Sequence, residues 1–148
     1  MDQFPPGSMT STHTGNPVCV AAALASVRKI VREKLTENAA ALEPLLLAAL
    51  KEIQAKHPQV IGHVTARGLV AGMQTVKPGT QQPDHDLAHA IIERCMWKGL
   101  LLFAPVGAWG QTVKIAPPLT IPREALAESL AVLAEATDEA VAAASMRA

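Results

Sequence analysis

Ser11, Thr12 and Thr14 crowd the stretch just ahead of Asn16-Pro17, where an apolar-periodic run begins. Hydroxyls and backbone N–H groups at a helix start, backed by the positive end of the helix dipole, can hold a phosphate. The same residue types are ordinary helix caps, and taken alone the pattern favours the cap. Lys114 lies in the run TVKIA. In a strand, Val113 and Ile115 face one way, and Thr112 and Lys114 the other. Lys114 is then either a solvated lysine, as most lysines are, or a cation waiting for a carboxylate. Arg67, in TARG, is a turn arginine before a glycine, a structural position more often than a catalytic one. His85 and His89 stand four apart and share a helix face. Two imidazoles fall short of the four ligands of a structural zinc site. No third ligand is counted beside them, so the pair is taken as a solvated face and no metal is expected. No GxSxG, HExxH or P-loop occurs.

The elements that must position these residues follow from periodicity. Met1–Gly15 has none, and its Pro, Gly, Ser and Thr make it an irregular arm expected to pack poorly. Asn16 as N-cap and Pro17 as first helical residue open a helix. Val20, Leu24, Val27 and Val31 recur along one face of it. A second periodic run carries Leu35, Ala39, Leu42, Leu46, Ala49 and Ile53, and Pro44 inside it predicts a kink or break near Ala40–Pro44. Short strands are expected at Val60–Val64, Leu69–Val76, Leu100–Phe103 and Thr112–Ala116, with Arg67-Gly68 between the first two. Asp84 begins a helix with Leu87, Ile91 and Cys95 inward and Gly99 at its end. A last helix starts near Pro122 and turns Leu126, Leu130 and Leu133 inward. Few short strands with helices able to cover one face make an α+β layer: a small sheet covered by helices.

Composition narrows the function classes. A chain of 148 residues is the size of one domain. Thirteen basic and thirteen acidic residues cancel, and aromatic residues are only 3% of the chain. Neither an electrostatic footprint nor a stacking platform for nucleic acid is present, and nothing points to an anionic membrane surface. No apolar run approaches the roughly 20 residues of a membrane-spanning helix, and no signal-peptide pattern opens the chain. Cys19 and Cys95 form no CxxC and suit a reducing, cytoplasmic setting.

Four stretches in order carry a resemblance: STHTGNPVCVAAAL at Ser11–Leu24, HPQVIGHVTARGLVAGMQ at His57–Gln74, GLLLFAPVG at Gly99–Gly107 and TVKIAPPLTI at Thr112–Ile121. Together they resemble the C-terminal third of a class III aminotransferase, a PLP-dependent enzyme of fold type I, of the 4-aminobutyrate and ornithine aminotransferase type. The resemblance implies an irregular arm and phosphate-contact loop at 1–15 and the small C-terminal domain at 16–148. It implies that Thr12, with Ser11 beside it, contacts the phosphate of pyridoxal 5'-phosphate in a partner subunit. Arg67 then lies at a close approach to the active site. Lys114 falls where many members place an arginine that binds the substrate carboxylate. The family's Schiff-base lysine, its aspartate on the pyridine nitrogen and its phosphate loop belong to a large domain upstream. None of Lys29, Lys34, Lys51, Lys56, Lys77, Lys98 and Lys114 matches that lysine. No catalytic residue is therefore expected in this chain, which reads as an inactive C-terminal fragment. The full enzyme would be a homodimer moving an amino group from an amino acid or ω-amine to a 2-oxo acid. The alternatives are a racemase, decarboxylase or aminomutase relative, or a non-catalytic module docking on such a partner.

Overall fold

The structure, a computed structural model, describes residue 8 and residues 15–146. Ser11, Thr12 and most of the irregular arm therefore lie outside the described residues. The chain divides into two compact units, Met1–Leu35 and Thr36–Ala148.

The first unit contributes helix α1 (Pro17–Arg32). Its start is the one the sequence dictates. The Asn16 Oδ1 accepts from the N–H groups of Val18 and Cys19 at 3.0 and 3.3 Å, and Pro17 supplies the first helical φ without wasting a donor. At the other end Glu33 pairs with Lys29 and Arg32, which holds its carboxyl below the usual carboxylate range. No residue of α1 is buried, so the stripe of Val20, Leu24, Val27 and Val31 stands exposed.

The second unit holds α2 (Leu35–Lys56, its first residue shared across the division), β1 (Ile61–Arg67), β2 (Val70–Thr75), α3 (His85–Trp97), β3 (Thr112–Ile115) and α4 (Arg123–Ser145). The strands form one antiparallel sheet in the order β1-β2-β3. Leu46 and Leu50 of α2, Met73 of β2, Ile91 of α3, Val113 of β3 and Leu133 of α4 are all at most 1% exposed and share one core. Fully burying a side chain of this kind is worth about 1.5–3 kcal/mol. Helices thus cover one sheet face, as the sequence implies for an α+β fold.

Two expectations fail. Pro44 neither breaks nor ends α2, which runs continuously through it. Pro44 and Ala40 both lie on the exposed side, where the carbonyl that loses its N–H partner can be hydrated. Leu42, Leu46 and Leu50 stay on the core regardless. Leu100–Phe103 is not a strand. Among the described residues β3 gains, beyond its pairing with β2, only the bridge of Val106 with Thr112, so Leu100–Phe103 has no ladder to join there. Pairing also sets the other strand limits: β1 extends to Arg67, beyond the Val64 expected, because Arg67 pairs with Val70.

Polar pins fix the elements to each other. Thr75, fully buried, has its hydroxyl within hydrogen-bond reach of the carbonyls of Asp84 (2.5 Å) and Gln111 (3.0 Å). The Asp84 carboxylate caps α3 by accepting from Leu87 N–H at 3.0 Å. Lys98 reaches Glu135 and Glu139 of α4, each at 2.8 Å, and these carboxylates raise its pKa. Asp138 of α4 takes Lys56 and His57, each at 2.6 Å, and the Lys56 ammonium foremost holds its carboxyl low.

Candidate functional site: the open face of the sheet

Alternation along the strands sorts the side chains. Val64, Ala71, Met73, Val113 and Ile115 face the core. His63, Thr65 and Arg67 of β1, Val70, Gly72 and Gln74 of β2, and Thr112 and Lys114 of β3 face the other way. The register puts Thr65, Gly72 and Lys114 in one cross-strand row, and His63, Gln74 and Thr112 in the next. Arg67 and Val70 close the hairpin. Arg67 and Lys114 therefore share a face, on opposite edge strands, one row apart. Strand spacing puts their Cα atoms about 12 Å from each other.

This face has one sign of charge. The sequences IGHVTAR, VAGMQT and TVKI contain Arg67, Lys114 and His63 and no acidic residue. Among the described residues no carboxylate pairs with Lys114 or Arg67. Instead the Lys114 Nζ sits 5.1 Å from the ring centroid of Phe103. A cation held over an aromatic face keeps its N–H donors for a ligand. Lys114 and Phe103 also border an apolar cleft of about 250 Å³ floored by Ile121, Leu126 and Leu130. Gly72, at the centre between Thr65 and Lys114, is tightly neighboured. A Cβ there would come within 3.2 Å of the Thr112 methyl.

The hairpin tip that carries Arg67 is anchored from below. Gly68, the first residue of the two-residue link between β1 and β2, has φ +56°, in the left-handed region that favours glycine. The Gly68 N–H donates to the Glu43 carboxylate of α2, and a Cβ on Gly68 would lie 3.5 Å from the Ala39 methyl. Sequence reasoning singled out Arg67 and Lys114 but not Phe103, Gly72 or Glu43. Phe103 meets Lys114, and Glu43 meets Gly68, only through the tertiary fold, so no local spacing announces either pair. Ser11 and Thr12 lie outside the described residues.

Other reactive groups do not join this face. Cys95 is buried in the core, and burial pushes its thiol up to about 11, which makes it inert. No group of three or more metal-ligating side chains occurs among the described residues. No described helix is long and apolar enough to cross a membrane.

The sequence model described as aminotransferase class-III matches residues 1–137. The chain is similar to the 5-aminovalerate aminotransferase DavT of Pseudomonas aeruginosa, with 39% identity over 140 residues, 94% of this chain and 32% of that protein. It is similar also to the isoleucine 2-epimerase of Lentilactobacillus buchneri, with 38% identity over 126 residues, 84% of this chain and 27% of that protein. A crystal structure of a Bacillus anthracis aminotransferase superposes with a TM-score of 0.78 at 32% identity, covering 89% of this chain and 30% of that one. The chain thus spans about a third of the length of the curated relatives it matches.

Proposed function

We propose, from the premise that this chain belongs to the class-III aminotransferase family, that residues 16–148 form the small C-terminal domain of a PLP-dependent aminotransferase. In this reading the open sheet face takes the carboxylate end of an amino acid or 2-oxo acid. The observation that carries it is the acid-free face with Lys114 and Arg67 unpaired. Lys114 anchors a carboxylate as a point charge, without the planar two-bond clamp a guanidinium gives. Arg67 supplies that fork from the far edge strand, so two cations address a small anionic substrate from two sides.

The described residues do not themselves fit pyridoxal phosphate. Lys114 is the one lysine on this face, and the sheet offers no carboxylate for the pyridine nitrogen. Bound in the whole enzyme, the cofactor supplies the electron sink for amino-group transfer. This chain's share in holding it is, in our reading, the hydroxyls of Ser11 and Thr12 at the phosphate of a partner subunit in a cytoplasmic homodimer. The chain by itself is then inactive.

The test uses a full-length enzyme that carries this sequence as its C-terminal third. A hydrogen bond to a charged group is worth about 1.5–3 kcal/mol. Lys114→Met should therefore raise KM for the carboxylate substrate about 10- to 150-fold. A KM within twofold of the parent removes Lys114 from the site. The chain alone, mixed with PLP and trapped with borohydride, should give no stoichiometric adduct on a single lysine and no turnover. Such an adduct with turnover would overturn the reading. The similarity to an isoleucine 2-epimerase favours one second reading, amino-acid racemisation, which inversion at Cα without any 2-oxo acid would reveal.

A further inference from the structure

We propose that His85 and His89 form a two-imidazole chelate for a divalent transition metal of the zinc, nickel or copper class. The two rings stand one turn apart on α3, both exposed, with centroids 6.0 Å apart and planes at 63°. Imidazoles at i and i+4 on one helix face are a recurrent zinc-binding arrangement. With metal–nitrogen bonds of about 2.0–2.1 Å, two rings on one tetrahedral ion have centroids about 5 Å apart. The observed 6.0 Å is about 1 Å more than that.

A second observation separates this pair from an ordinary solvated face. The His85 Nδ1 lies 3.0 Å from the Gly110 carbonyl oxygen. A carbonyl only accepts, so Nδ1 carries a proton there, and Nε2 is the ring nitrogen left to face a metal. Hydrogen bonding of the second ring nitrogen to a backbone carbonyl is the usual way a metal-binding histidine is oriented. The loop is shaped around that ring: Gly110 has φ +64°, and a Cβ there would sit 2.5 Å from His85 Nδ1. Asp84 at the N-cap and Asp86 in the first turn offset the positive end of the helix dipole. Imidazole donors suit zinc, copper and nickel rather than magnesium or calcium. Water completes the coordination.

Calorimetric titration of the chain with Zn²⁺, and separately with Ni²⁺, tests this. The parent should bind one ion per chain. His89→Gln and His85→Ala should each weaken binding by at least about tenfold, the scale on which even an outer-shell partner matters. His63→Gln, on the sheet, should leave affinity unchanged. His89 is exposed, so His89→Gln keeps the fold, which circular dichroism verifies even where His85→Ala disturbs the loop. Affinity unchanged in His89→Gln, or binding lost equally in His63→Gln, overturns the proposal.

Discussion

Replacing Thr75 by valine removes one hydroxyl and almost no volume. The hydroxyl is fully buried and lies between the carbonyls of Asp84 and Gln111, at the junction of β2 with the starts of α3 and β3. A net intramolecular hydrogen bond is worth about 0.5–1.5 kcal/mol, and an abandoned buried acceptor costs more. Here neither carbonyl is abandoned. The Gln111 oxygen still accepts from Thr75 N–H at 2.9 Å, and the Asp84 oxygen from Ala88 N–H at 3.3 Å. The expected loss is therefore about 1–2 kcal/mol, with the lower half of that range set by the hydrogen bond itself. In a chain of this size that lowers Tm by roughly 2–8 °C. Urea titration and calorimetry on the parent, Thr75→Val and Thr75→Ser check it. Serine keeps the hydroxyl and loses a methyl, so its deficit should come with retained protection of the amides around Asp84. If valine matches or exceeds the parent, the hydroxyl is no pin and the account of this junction is wrong. A loss beyond about 4 kcal/mol would mean the carbonyls are in fact stranded.

Leu46→Ala, at a position with no exposure, should cost about 2–5 kcal/mol by transfer and cavity terms together, read by urea unfolding. Asp138 has its folded pKa lowered by Lys56 first and His57 second. Its contribution is therefore complete above the unfolded value of about 3.9 and fades as pH falls through the lower folded value. Asp138→Asn should flatten the acid limb below about pH 4, which melts between pH 2 and 7 would show. Gly110→Ala forces a side chain into a left-handed backbone and against His85. It should cost about 1–2 kcal/mol for the backbone alone and raise amide exchange in the loop from Val106 to Gln111.

Local chemistry made the helix starts legible. Asn16-Pro17, Asp84 and Pro122 each act within one turn, and the structure places the caps on those residues. The inward leucines of α4 were legible for the same reason, since periodicity reports a face directly. Pro44 misled because the cost of proline depends on which side of the helix loses the hydrogen bond, and tertiary packing decides that. Leu100–Phe103 misled because alternation shows strand compatibility, whereas a strand exists only with a partner. At the site, the outward direction of Lys114 followed from alternation alone. Its aromatic neighbour and the carboxylate beneath Gly68 did not, because both depend on long-range contacts.

The anchored hairpin tip has a consequence for redesign. Arg67 points away from the core, but its backbone is tied to β2 by the ladder and to α2 through Gly68 and Glu43. Lys114 is in the same position on β3, with Val113 and Ile115 holding the strand from the opposite side. The face is thus a rigid pegboard on which the pegs are interchangeable. A combinatorial library at His63, Thr65, Arg67, Gln74, Thr112 and Lys114 would vary the chemistry offered to a ligand while leaving core and register untouched. Varying Glu43 or Gly68 instead would move the board.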